Sequence, residues 1–304
     1  MSPQSNIVFT YALLVFIWAT TPLAVVWSVT DLFPLWALAF RFFLALPIAF
    51  ILLVIFRSKL PFDLHSIHSY IAGACSFIGS QIFTYLATYY LSSGIIALMF
   101  GLAPIMAGLI GHYGFRQHLH RLQWLGMFIA LMGLGVICFS GQSQHVQPMG
   151  ILLMLVSVFI YCASIFWVKQ VNAPLQPMSQ ATGSILMSCL FAMLMIPFIW
   201  QHAPDHLPHA KSLTGLIYSS VMASVFAMLC YFNLIKKVQA TTLSLTTVLT
   251  PTLAIVVGAL LNNESLSFQV FIGAAVLLGG LFIYFYRDIQ ASRKFKQKNL
   301  QSRN

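Results

Sequence analysis

The chain of 304 residues is 60% hydrophobic and only 7% charged, with a formal net charge of +10. A soluble domain carries roughly 25% charged residues, so this chain lacks the polar residues to cover a water-facing surface. The basic residues lie in short loops and at the C-terminal end rather than in one patch, which argues against a nucleic-acid-binding domain.

Apolar stretches about 20 residues long recur along the chain, separated by polar residues or by glycine and proline. They predict an all-α membrane protein with ten transmembrane helices. The predicted spans are 7–27, 33–56, 67–91, 94–112, 122–140, 149–169, 178–200, 212–235, 240–261 and 267–286.

The basic residues predict the orientation of these helices, because cytoplasmic loops retain Lys and Arg. With the N-terminus inside, thirteen basic residues fall on the cytoplasmic side and only Lys211 falls outside. Both termini are therefore predicted to be cytoplasmic, in a bacterial inner membrane. Residues 287–304 form a basic cytoplasmic tail with too little apolar surface to be expected to fold.

The sequence contains an internal repeat. Residues 92–139 align without a gap onto 239–286, so that "LAPIMAGLIG" meets "LTPTLAIVVG" and Gly126 meets Gly273. A weaker match pairs "WATTPLAV" with "YCASIFWV". The predicted domains are thus two five-helix repeats, 7–140 and 149–286. Because five is odd, the second repeat enters the membrane from the opposite side, as in many secondary transporters.

These residues resemble the EamA family of the drug/metabolite transporter superfamily. The similarity rests on "FIWATTPLAVVW", "ALAFRF", "GLAPIMAGLIGHY", "LQWLGMFIALMGLGVI" and "LTPTLAIVVGALLNNESLSFQVFIGAAVLLGG", which together cover nearly the whole chain. The resemblance implies ten helices around a central cavity and transport of small metabolites, often amino acids. Such repeats commonly carry Glu after the fourth and ninth helices; Glu264 fills the second of these positions, but Gln117 fills the first.

Arg41 stands near the middle of the second span, and its nearest acidic residue in sequence is Asp31, ten positions earlier. On translocon scales, inserting an arginine at the middle of a membrane helix costs about 2.5–3.5 kcal/mol of free energy. The Arg41 side chain is therefore expected to face the other helices rather than lipid. No predicted span has Asp or Glu in its middle. Two partners stay open: backbone carbonyls freed near a broken helix, or the carboxylate of a substrate, which suits a guanidinium fork.

Polar and aromatic residues inside the spans are the other candidate substrate contacts. Gln81, Tyr85 and Tyr89 of the third helix share one face because of their i, i+4, i+8 spacing. Trp18 and Tyr161 occupy equivalent places in the two repeats. Ordinary helix packing is the alternative for each of them. The substrate-binding candidates are Trp18, Arg41, Gln81, Tyr85, Tyr89, Tyr161, Tyr231 and Thr246.

The sequence predicts neither a cofactor nor a metal site. The five cysteines lack metal-ligand or disulfide spacing. His202, His206 and His209 lie in "HAPDHLPH", where two prolines make the loop irregular, and solvated loop residues are the favoured interpretation.

The predicted function is secondary transport of small metabolites, with amino acids as the favoured substrates and export as the favoured direction. Without a carboxylate relay, facilitated diffusion or coupling through an unusual group fits best. An exporter of lipophilic drugs or dyes is the alternative, and a channel is a rival of another class. An enzyme is not expected, because the spans lack Ser–His and carboxylate pairs. The expected partners are a small-molecule substrate and membrane lipid, not nucleic acid, and the chain would be a monomer or homodimer.

The orientation can be tested with reporters fused after residue 304. We expect a fluorescent protein to be active there and alkaline phosphatase to be inactive, because the phosphatase needs the disulfides that form outside the cytoplasm. The opposite pattern would contradict the predicted topology.

Overall fold

The computed structural model describes residues 3–116, 118–138, 146–235, 246–262 and 267–301. Within these residues the chain forms ten helices, as predicted, and the protein is all-α. Eight of them are long and apolar enough to cross a membrane; the described apolar parts of the other two, Arg121–Ile137 and Leu249–Asn262, are shorter. The helices are α1 (Pro3–Ser28), α2 (Pro34–Ile55), α3 (Leu64–Ala87), α4 (Ser93–Phe115), α5 (Arg121–Cys138), α6 (Pro148–Val171), α7 (Pro177–Ile199), α8 (210–235), α9 (Thr246–Asn262) and α10 (Phe268–Gln301).

Local chemistry explains several helix starts. Proline is the first residue of α2, α6 and α7, a position where its missing N–H needs no partner. Asp63 caps α3: its Oδ1 accepts a hydrogen bond from the Ser66 hydroxyl at 2.6 Å, and its Oδ2 accepts one from the Ser66 backbone N–H at 3.0 Å. These bonds favour the ionised carboxylate and lower the pKa of Asp63.

The C-terminal segment differs from the sequence expectation. We expected residues 287–304 not to fold, but α10 continues through Gln301. No glycine or proline follows Gly280, and Arg, Lys, Gln and Ala are good helix formers. The basic residues near the end also complement the helix dipole, so that the helix does not need an apolar face to continue.

The two halves of the chain are interleaved. Helix α1 packs mainly against α8 and α9 of the second half, and α6 packs against α3 and α4 of the first half. Across the bundle α2 packs against α7, and α5 packs against α10. Exchanging the halves, α1 for α6 and so on, maps the contacts of α1 onto those of α6 and maps the α2–α7 and α5–α10 contacts onto themselves. The packing is therefore pseudo-symmetric.

The closest helix contact joins α5 and α10 through the glycines of the repeat. A β-carbon placed on Gly126 would lie 2.7 Å from the carbonyl oxygen of Gly280, and one on Gly133 would lie 2.6 Å from that of Gly273. Rising residue numbers on α5 thus meet falling numbers on α10, so the helices are antiparallel. Since Gly126 and Gly273 are repeat equivalents, the contact also maps onto itself. This is the inverted relation that the sequence repeat predicts.

Residues that the predicted topology places on the same side of the membrane contact each other at one end of the bundle. At the predicted outer end, Asn262 Oδ1 accepts hydrogen bonds from Trp27 Nε1 at 3.0 Å and from Lys211 Nζ at 3.3 Å. At the other end, the Ser179 hydroxyl donates to the carbonyl of Lys59 at 2.5 Å. Which end faces the cytoplasm stays a prediction.

The glycine contact predicts opposite effects for two neighbouring substitutions. Gly133→Ala should lower the free energy of unfolding by about 1–3 kcal/mol, because the new methyl group meets the backbone of α10. Gly135→Ala should leave it unchanged or raise it, because nothing lies within 4 Å of that position and alanine favours helix.

Thermal unfolding of the purified variants in detergent measures the difference. The pair Gly280→Ala and Gly279→Ala repeats the comparison from the α10 side, since Gly280 contacts α5 closely and Gly279 has nothing within 4 Å. Equal midpoints within both pairs would contradict the contact.

Candidate substrate-binding site

Arg41 is the charged residue at the centre of the candidate site. It lies on α2, seven residues after Pro34, or roughly 10 Å along the helix, and only 6% of its surface is exposed. Its Nε donates a hydrogen bond to Ser224 Oγ of α8 at 3.1 Å, and its Nη1 donates to Gln81 Oε1 of α3 at 3.3 Å. One side chain thus joins three helices.

The Ser224 hydroxyl, which accepts from Arg41, also bonds to the backbone of α8. Residues Ser219–Phe226 are π-helical, and the Ser224 hydroxyl donates to the carbonyl of Ser219 at 3.0 Å. With its proton engaged, the Ser224 oxygen is left to accept from Arg41. The sequence left a freed backbone carbonyl open as one partner of Arg41; on α8 the partner is instead a serine hydroxyl, which itself donates to a backbone carbonyl.

A second π-helical segment lies in the equivalent part of the first repeat. It spans Cys75–Gly79 of α3, immediately before Ser80 and Gln81. The two segments begin 144 residues apart, at Cys75 and Ser219, close to the spacing of the sequence repeat. Single π turns are frequent at functional sites, and here each segment carries or adjoins a partner of Arg41.

The charge of Arg41 has no counter-ion among the described residues. The ion pair found there joins His209 to Asp31, in loops outside the helices. Ser224 and Gln81 supply neutral oxygens, and none of the hydrogen bonds in the described part of the chain uses Nη2. The guanidinium therefore keeps both its net charge and donor capacity for an additional acceptor.

Three of the predicted aromatic residues come together beside this group. The Trp18 and Tyr231 rings pack with centroids 5.7 Å apart. Tyr161 lies near Tyr231, and its ring meets the Phe100 ring edge-on, with centroids 6.1 Å apart. These four residues, on α1, α4, α6 and α8, are the aromatic cluster.

The aromatic cluster and Arg41 are neighbours along α8. Ser224 and Tyr231 are seven residues apart, which is roughly 10 Å or two turns. Met222 and Ala223, beside Ser224, pack against the apolar group that includes Trp18 and Tyr231. The Arg41 contact and the aromatic cluster therefore adjoin the same part of α8.

The other predicted contacts are placed differently. Tyr85 is fully buried among Leu38, Phe42 and Ile185, and its hydroxyl has no hydrogen-bond partner among the described residues. Tyr89 was expected on the same helical face, but α3 ends at Ala87 and Tyr89 is 55% exposed. The Thr88 hydroxyl bonds to the carbonyl of Tyr85 at 2.6 Å, a local contact that competes with continued helix.

Thr246 is buried at the beginning of α9, and its role in binding stays a prediction. Gln117 and Glu264, where the sequence departs from or follows the family pattern, lie outside the described residues. Ser224 is the functional residue that sequence reasoning missed as a partner of Arg41. Its pairing with α2 could not be read from the sequence, because 183 residues separate Ser224 from Arg41.

A bundle of helices built from two inverted repeats is an architecture shared by many transporters. The chain belongs to the EamA-like transporter family, whose model matches residues 6–139 and 148–286. It is a multi-pass membrane transporter and not an enzyme.

Curated relatives of this chain are also transporters. It is 21% identical to the uncharacterized transporter YdfC of Bacillus subtilis, over 91% of this chain and 90% of that protein. It is 22% identical to a protein of Escherichia coli described as a probable amino-acid metabolite efflux pump, over 63% of this chain and 67% of the relative. The inner membrane transporter YedA of E. coli is 24% identical over 62% of this chain and 61% of that protein.

A protein of known crystal structure has the same fold. It superposes with a TM-score of 0.63 at 14% identity, over 92% of this chain and 98% of that one. The likeness covers both repeats.

Replacing Ser224 tests whether the Arg41 contact holds the bundle. Ser224→Ala leaves Nε of a buried cation without its acceptor, which should lower the free energy of unfolding by about 1–3 kcal/mol. Thermal unfolding in detergent measures this effect.

Ser220→Ala is the matched control, because the Ser220 hydroxyl bonds only to the carbonyl of Leu216 in its own helix at 2.7 Å. Equal unfolding midpoints for the two variants would mean that the contact between Arg41 and Ser224 adds nothing to stability.

Proposed function

We propose that the protein exports small metabolites with a carboxylate group, and amino acids with apolar side chains in particular, by alternating access. Both termini would face the cytoplasm of a bacterial cell, and the site would lie between Arg41 and the aromatic cluster. The observation that carries the proposal is the buried guanidinium, which has no counter-ion in the part of the chain that the structure describes.

The electrostatics of Arg41 favour an anionic ligand. Removing an ion from water is expensive unless it is paired, and neutral oxygens from Ser224 and Gln81 compensate only in part. A carboxylate would bring the missing charge and could accept from the remaining N–H groups, with shorter and stronger hydrogen bonds than neutral acceptors make. Because these two residues already orient the guanidinium, little side-chain entropy is left to lose on binding.

The aromatic cluster would receive the apolar part of the same solute. Ligand sites are mostly apolar, with a few polar groups that fix orientation, and Tyr231 of the aromatic cluster lies about two helical turns along α8 from Ser224, the partner of Arg41. An amino acid fits this separation of one charged and one apolar end. The E. coli relative whose name refers to amino-acid metabolites supports the same class of substrate.

The symmetry of the packing supports alternating access. Each end of an inverted repeat has an equivalent at the other end, so one set of contacts can open while its counterpart closes. The two π-helical segments, in α3 and α8, occupy equivalent positions beside Arg41. Local rearrangement there would alter the site and the helices together.

The ion coupling, if any, would not use a membrane-embedded carboxylate of the described residues. Asp31 and Asp63 lie in the connections before α2 and α3, Asp205 lies between α7 and α8, and Asp288 follows the apolar part of α10, which ends at Tyr286. Since proton and sodium coupling usually employs such a carboxylate, facilitated diffusion or counterflow of solutes is favoured.

Counterflow in liposomes tests the proposal with a panel of amino acids and their amides, which lack the carboxylate. Internal solute should accelerate uptake of the labelled solute, which a channel would not do. Arg41→Lys keeps the charge but loses the fork, so acids should be transported at least about tenfold more slowly, as expected for a lost charged hydrogen bond. The amides should be spared.

Gln81→Glu is the complementary variant, because it places a carboxylate of nearly the same shape beside Arg41. It should pair with the guanidinium, slow the transport of acids and leave the protein stably folded. Ser220→Ala serves as the control that should transport normally. Equal losses for acids and amides in both Arg41→Lys and Gln81→Glu would mean that Arg41 only holds helices together.

A further inference from the structure

Three metal-ligating side chains converge at the predicted outer end of the bundle, away from the candidate substrate site. Asp31 belongs to the connection between α1 and α2, and His206 and His209 belong to the loop before α8. One ligand atom from each of the three lies within 4.8 Å of the other two. The tertiary structure brings them together across 175 or more residues of sequence.

Asp31 and His209 are in direct contact. Asp31 Oδ2 accepts a hydrogen bond from the backbone N–H of His209 at 2.6 Å and lies 2.7 Å from His209 Nδ1. The His206 and His209 rings are edge to face, with centroids 5.6 Å apart. The backbone bond fixes the carboxylate against the loop that carries both histidines.

The second oxygen of Asp31 is left without a partner. Oδ1 is buried and makes no hydrogen bond with the described residues; the nearby Ser212 hydroxyl donates to the carbonyl of Ser28 at 2.7 Å instead. One oxygen of the Asp31 carboxylate is therefore a buried acceptor in need of a partner.

We propose that Asp31, His206 and His209 bind a divalent transition-metal ion, with Zn²⁺ as the preferred ion. Two imidazoles and one carboxylate, with a water as fourth ligand, form a common tetrahedral zinc site. Zinc-bound N and O ligands lie about 3.3 Å apart when each is roughly 2.0–2.1 Å from the metal. Small side-chain rotations would move the three ligand atoms to that spacing.

The surroundings set limits on the ion and its affinity. Two nitrogen ligands favour zinc over Mg²⁺ or Ca²⁺, which prefer oxygen. His209 also precedes the first turn of α8, and the positive end of that helix opposes a cation. We therefore expect weaker binding than in the closed cysteine sites of zinc-folded domains.

A bound ion would fasten the connection between α1 and α2, in the first repeat, to the loop that precedes α8, in the second. Because it would bind the folded chain and not the unfolded one, it should raise the unfolding temperature in proportion to the logarithm of its concentration. This readout does not depend on transport or on the identity of any substrate.

The test uses the purified full-length protein in detergent, with any affinity tag removed. Zn²⁺ is titrated against a chromophoric chelator, and thermal unfolding is followed at increasing Zn²⁺ and, separately, Mg²⁺. We expect one Zn²⁺ per chain, a rise in unfolding temperature with Zn²⁺ and none with Mg²⁺.

The variants His206→Ala, His209→Ala and Asp31→Asn should each weaken Zn²⁺ binding at least about tenfold. His202→Ala is the matched control, because His202 is in the same loop but stacks on Phe33, with ring centroids 4.2 Å apart. Circular dichroism without metal confirms that each variant is folded. Absence of saturable Zn²⁺ binding in the unmodified protein, or an equal loss with His202→Ala, would overturn the proposal.

Discussion

The antiparallel contact between α5 and α10 is the constraint on which the rest of the bundle depends. Lipid provides no hydrophobic force between apolar helices, so their association relies on close packing. The glycines of the repeat permit that packing: Gly126 faces Gly280 and Gly133 faces Gly273, with no room for a β-carbon. Once these two helices are joined, the five-helix halves are related by a two-fold axis in the membrane plane. The interleaving of α1 and α6 follows the same symmetry.

Around Arg41 the two pseudo-symmetric halves of the bundle differ. The π-helical segments of α3 and α8 are equivalent, but the residues they bring to the centre are not: Gln81 follows the first, while Ser224 belongs to the second. The Arg41 guanidinium of α2 donates a hydrogen bond to each of them. The pseudo-symmetric bundle thus has an asymmetric centre, and under the proposed function this asymmetry would recognise a solute with one carboxylate end.

Family membership and chemistry contribute different information about function. The matches to both repeats establish a transporter, but relatives about a fifth identical do not determine what is carried. Solute recognition depends on a few side chains, and here these are a guanidinium with neutral partners and a cluster of aromatic rings. The amino-acid proposal therefore rests on those groups and can fail without affecting the fold.

The sequence by itself determined the ten helices, their inverted repeat and the family, because apolar length, glycine spacing and motif order are linear patterns. It also identified Arg41 as a residue that must face the bundle. Only the tertiary structure decided its partners, since Gln81 and Ser224 are 40 and 183 residues away. Likewise, helical spacing placed Tyr89 with Gln81, but the end of α3 separates them. The meeting of Asp31 with His206 depends on loops from opposite repeats, and no local pattern encodes that contact.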